Sequence, residues 1–96
     1  MRINEILIGS DRVAVTYKEI EGSHGTYDYV PRPTIVINSE GPAWLQASTL
    51  LHESIHAIDR KYNTLLEEHQ VQALEIGLRD LIRQNPKLID ALRASP

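Results

Sequence analysis

The chain has no cysteine and no phenylalanine, and a single Trp and a single Met among its 96 residues. Without cysteine there is neither a disulfide frame nor a thiolate metal site, and a reducing compartment is expected. No window is long and apolar enough to span a bilayer. Met1-Arg2-Ile3-Asn4-Glu5 lacks the basic-then-apolar layout of a signal peptide, so the expected location is cytoplasmic. The ten Lys and Arg are scattered and the formal net charge is −3, which argues against a basic nucleic-acid surface. With Trp44 as the sole Trp and no Phe, a base-stacking platform is unsupported as well. Internal repeats and low-complexity runs are also missing. What these absences leave is one small domain, residues 1–96, with a modest core. A metal ion crosslinking two of its elements would add stability to such a chain.

The patterning divides into strands first and helices after. Residues 2–8 end in a short apolar run and read as a first strand, and Gly9-Ser10-Asp11 as a turn. Residues 12–20 alternate, with Val13, Val15 and Tyr17 on one side and Thr16 and Lys18 on the other, which predicts a second strand. The stretch 21–33 carries Gly22, Gly25, Pro31 and Pro33 and reads as a long connection. Thr34-Ile35-Val36-Ile37-Asn38 is a β-branched run that Pro33 leads into in extended form, a third strand expected at the sheet edge.

From Ala43, just after Pro42, the period becomes helical up to about Tyr62, with Trp44, Leu51, Ile55, Ile58 and Tyr62 as the expected buried stripe. Asn63-Thr64 marks a break. A second helix is expected over 67–84, burying Val71, Leu74, Leu78, Leu81 and Ile82, with Ala73 and Gly77 permitting close helix contact. Asn85-Pro86 then opens a short last helix through Leu88, Ile89 and Leu92. The expected class is α+β, with about three mostly antiparallel strands followed by three helices.

One pentad in the first helix carries chemistry: His52-Glu53-Ser54-Ile55-His56, an H-E-x-x-H. At 3.6 residues per turn the two histidines lie one turn apart on one face and can share a Zn²⁺. Glu53 projects beside them, where it can act as general base on a zinc-bound water. The bland alternative is a helix carrying two solvated histidines and a solvated glutamate.

A catalytic zinc needs a third protein ligand and one open position. Tyr62 stands six residues after His56 and Asp59 three after it, so the extended H-E-x-x-H-x-x-G-x-x-H pattern is not met. The ligand is therefore expected from the second helix, where Glu67, Glu68, His69 and Glu75 are the candidates. Glu67 suits an N-cap or a first-turn acid. His69 points away from the apolar stripe. Glu68 and Glu75 share one edge of it, two turns apart, and periodicity alone does not separate them. Asp59 is placed to orient one imidazole, although a solvated helix-end acid is the favoured reading.

Thr49-Leu50-Leu51-His52-Glu53-Ser54-Ile55-His56-Ala57-Ile58 resembles the core motif of small phage and prophage metallopeptidases. These in turn are similar to a minimal version of the zincin fold of the repressor-cleaving ImmA/IrrE group. Gly25-Thr26-Tyr27-Asp28 resembles a G-x-x-D ahead of a short strand, Ile35-Val36-Ile37-Asn38 the strand before the active-site helix, and Glu68-His69-Gln70-Val71 an E-E-x-V segment. The likeness covers about three quarters of the chain, from residue 25 onward. It implies Glu68 as the third ligand, after His52 and His56, and a zincin-like fold. The chain departs from the pattern at His69, where the family has a second acid, and at Glu67, where it usually has Ser, Thr or Asp.

The expected function is zinc-dependent hydrolysis of a peptide or protein substrate, with an oxyanion helper drawn from Tyr27, Tyr29, Tyr62 or His24. An extended substrate is expected to add to the strand 34–38. The competing expectation is a zincin-like binding or regulatory module of a phage or prophage that cuts nothing. Cleavage of a repressor is a third, resting on analogy alone.

Overall fold

The computed structural model describes residues 2–96. Four strands, β1 (Glu5–Ile8), β2 (Asp11–Lys18), β3 (Gly25–Asp28) and β4 (Thr34–Asn38), precede three helices, α1 (Ala43–Tyr62), α2 (Glu68–Gln84) and α3 (Pro86–Arg93). The class is α+β, as the patterning predicts. The sheet has the order β1-β2-β4-β3. It is mixed, because β2 and β4 run parallel, with Val15 opposite Ile35 and Tyr17 opposite Ile37, whereas β1/β2 and β3/β4 are antiparallel.

Two expectations are corrected here. The connection 21–33 contains a strand, β3, and β4 lies between β2 and β3 rather than at the edge. β3 is short and sits among Gly and Pro, and it owes its extended form to pairing with β4, a non-local cause. Gly25 opens it because a Cβ there would stand 2.6 Å from Thr49 Cγ2 and 2.9 Å from the Val36 carbonyl oxygen. The lack of a side chain therefore lets β3 lie directly against α1.

The core forms where α1 covers the sheet. Val13 and Val15 from β2 and Ile35 and Ile37 from β4 meet Leu50 and Ala57 of α1, with Ile6, Ile8, Tyr17 and Tyr27 packed around them. Both isoleucines of β4 have zero exposure, as expected for an interior strand buried by period two. Tyr17 also ties the amino-terminal segment down, donating its hydroxyl to the Ile3 carbonyl at 2.8 Å and accepting the Ile3 N–H.

The helices begin and end near the expected residues, but their buried faces differ. Trp44, Ile58 and Tyr62 are exposed, and of the expected α1 stripe only Ile55 is buried. At about 100° per residue, Leu50 and Ala57 share a face roughly 120° round the helix from that stripe, and it is this face that meets the sheet. On α2 only Val71 is buried, whereas Leu74, Leu81 and Ile82 are exposed. Gly77 approaches nothing within 4 Å of where its Cβ would be, so it mediates no close helix contact. Asn85 sends its side-chain amide back to the Leu81 carbonyl rather than capping α3, whose first turn is set by Pro86.

Candidate metal centre

Helical geometry gives α1 three working faces. Taking His52 as origin, at about 100° per residue, His56 falls at about 40°, Glu53 at about 100° and Ala57 at about 140°. Glu53 thus lies between the histidine face and the face that packs on the sheet. Ser48 and Ile55 fall on the other side of His52, toward α2. All of these are buried or half-buried, so the pentad is not a solvated surface run.

The turn between α1 and α2 fixes which residues of α2 come level with this face. Asn63 ends α1 in the left-handed conformation with φ 53°, and Leu65 follows with φ 57°. Asp59 holds the turn through its Oδ1, which accepts from the Thr64 hydroxyl and, at 2.9 Å, from the Leu66 N–H. Those bonds, that from Leu66 foremost, keep the Asp59 carboxyl below its ordinary range. Asp59 therefore orients the turn and not an imidazole. Glu67 becomes the N-cap of α2, and Gln70 closes a capping box by accepting the Glu67 N–H at 2.9 Å. His69 is exposed and lies 3.3 Å from Glu67, away from the cluster.

Glu68 is the residue that this turn delivers. Its Oε1 lies 2.5 Å from His52 Nε2 and its Oε2 lies 3.0 Å from His56 Nε2. Donor atoms of His52, His56 and Glu68 all lie within 4.8 Å of one another, a group able to hold a metal ion. Glu75, the other candidate, meets the opposite edge of the first ring, with Oε1 at 3.1 Å from His52 Nδ1. Its Oε2 accepts from the Ser48 hydroxyl at 2.6 Å and lies 3.6 Å from Arg79 Nη1, and Arg79 also donates to Ser48 Oγ at 2.8 Å. Ser48 and Arg79 escaped the sequence reading. The signal was there, since Ser48 and His52, like Glu75 and Arg79, are four residues apart on one helical face.

Electrostatics distinguish the members of the group. Burial pushes the Glu53 carboxyl up, only partly opposed by His56 and His52. Burial also works against charging His52, but its hydrogen bonds to Glu75 and Glu68 outweigh this and raise it above the ordinary histidine value. Tyr27 is raised by burial, against the pull of Arg60.

Two clefts flank Glu53. One, of about 380 Å³, runs past His24, Gly25, Trp44, His52 and Glu68 to Arg79. The other, of similar volume, lies on the His56 side and includes Tyr27 and Arg60. Of the four expected oxyanion helpers, His24 and Tyr27 border these clefts. Tyr29 instead stacks under the Arg60 guanidinium, 4.1 Å from ring centroid to Cζ, and Tyr62 lies exposed at the end of α1, beside Lys61.

The donor set fits a divalent ion. Two imidazoles and one carboxylate form a set used by catalytic zinc, and they leave a coordination position open. Among the described residues, no helix is long and apolar enough to cross a membrane. Comparison with protein-family models, with curated proteins and with solved structures yields no match.

Proposed function

We propose that the chain is a zinc-dependent peptidase of minimal zincin-like form, in which His52, His56 and Glu68 hold Zn²⁺ and Glu53 is the general base. The observation that carries this reading is the convergence of those three donors within 4.8 Å beside a buried glutamate from the same helical turn. Zn²⁺ in such a set supplies Lewis acidity, acidifying water and polarising a carbonyl. Nitrogen and oxygen donors without thiolate suit zinc, with other imidazole-binding divalent ions as competitors.

Glu53 is well placed for its role. Its raised pKa makes the carboxylate a better proton acceptor than a solvated glutamate. It borders both clefts, so it can take a proton from water on one side of a scissile bond and pass it to the leaving amine on the other. β3 is the outer strand bordering both clefts, and it replaces β4 as the edge to which an extended peptide would add. Peptides N-methylated at single amides test that addition, and cleavage that survives every such methylation contradicts it.

The experiment that tests the function compares zinc-loaded wild type with Glu53→Gln on a peptide library, with zinc content measured in both. The expected result is equal zinc and a loss of about 10²–10⁴-fold in cleavage rate. Zinc-loaded wild type that cuts no peptide contradicts the peptidase reading and leaves a zincin-like binding module.

A further inference from the structure

We infer that Arg79, Ser48 and Glu75 form a directional hydrogen-bond relay that holds a proton on His52 Nδ1 and so reserves Nε2, the atom facing Glu68, for the metal. They are positioning residues, and the inference rests on the metal site proposed above.

The direction follows from what each group can donate. Arginine has only donors, so Ser48 Oγ must accept from Arg79 Nη1 at 2.8 Å. The serine hydroxyl has one proton, and at 2.6 Å it goes to Glu75 Oε2. Arg79 Nη1 also stands 3.6 Å from that oxygen, so Glu75 Oε2 is met by donors only. With the serine proton already on its way to Oε2, Oε1 is left as an acceptor, and the ring nitrogen 3.1 Å away donates to it. That nitrogen is Nδ1, so when the ion is bound the lone pair of the neutral ring is left on Nε2, the atom that faces Glu68 and the cluster.

The relay also laces α1 to α2. Ser48 and His52 are one turn apart on α1, and Glu75 and Arg79 one turn apart on α2, so the four residues meet in antiparallel register. Burial makes the bonds matter. Ser48 is 6 % exposed, and the side chains of Glu75 and His52 are 15 % and 17 % exposed. A polar group this far from water is costly to leave unpaired, which disfavours any ring orientation that abandons Glu75. His56 differs, since its contact with α2 runs through Nε2 to Glu68, at the cluster itself. Of the two imidazoles, therefore, His52 is the pre-oriented one.

The test is competitive zinc titration of wild type, Glu75→Gln, Ser48→Ala and Arg79→Met, with NMR of the His52 Nδ1–H proton in the zinc-loaded proteins. Wild type is expected to bind one equivalent and to show an Nδ1–H protected from exchange with water. Glu75→Gln is expected to keep one equivalent, to lose about 10–100-fold in affinity and to lose that protection. Ser48→Ala and Arg79→Met lose less, and combining either with Glu75→Gln adds less than the sum of the single losses. Unchanged affinity and protection in all three variants overturn the relay while leaving the metal site intact. Complete loss of zinc in Glu75→Gln, matching His52→Ala, makes Glu75 a ligand and overturns it as well. A wild type that binds no zinc overturns the metal site itself. If Glu75→Gln does not fold, Ser48→Ala and Arg79→Met decide by the same two readouts.

Discussion

The two interfaces of α1 are built from different forces. Toward the sheet it presents Leu50 and Ala57 to Val13, Val15, Ile35 and Ile37, an apolar contact that excludes water without any ligand. Toward α2 it presents Ser48, His52 and His56 beside the buried Ile55, answered by Glu68, Glu75 and Arg79, and α2 buries only Val71. The first interface is a scaffold and the second gathers the candidate metal donors. Hydrogen bonds and ion pairs add modestly to net stability compared with apolar burial. Much of what fixes α2 on α1 is thus left to the polar cluster and to the ion it would hold.

The largest expected effect breaks the scaffold. Ile37→Ala removes a side chain with zero exposure from the interior strand and should cost about 2–5 kcal/mol in a urea unfolding titration. Every part of the molecule should lose stability together. Val71→Ala should be milder, about 1–3 kcal/mol. Its signature should be local, with hydrogen-exchange protection falling in α2 before the sheet, and zinc restoring it. Equal loss of protection in sheet and α2 would erase the distinction between the interfaces.

A smaller effect sharpens the comparison through pH. In the zinc-free protein the His52 pKa is raised above 6.5, despite burial, by Glu75 and Glu68. The stability it contributes is fully present below that value and is lost as pH rises through the elevated folded pKa. Urea titrations across this window should show zinc-free wild type weakening with rising pH and His52→Gln weakening less. Identical pH dependence in the two proteins would contradict the raised pKa.

How much of this was legible in the sequence depends on whether the cause was local. Pro42, Asn63 and the pair Asn85-Pro86 act on their own backbone, and α1, α2 and α3 begin or end close to them. The shared face of His52 and His56 follows from helical periodicity alone. The choice between Glu68 and Glu75 did not, because it depends on the hairpin offset set by two left-handed residues and by Asp59. The buried face of α1 was misread because Trp44, Ile58 and Tyr62 are apolar yet uncovered, whereas the sheet takes the face that also carries Glu53. Hydrophobicity marks the faces that a neighbour can cover, and only the tertiary arrangement selects among them. β3 stayed hidden for the same reason, since its partner β4 lies beyond a turn that holds Pro31 and Pro33.

The most direct test of the central claim is a calorimetric zinc titration of wild type beside His52→Ala, His56→Ala and Glu68→Ala. Three side chains from two helices converging on one ion predict a single equivalent bound by wild type and a severe loss of affinity in each variant. Undiminished binding in Glu68→Ala, or no saturable site in wild type, would contradict the account.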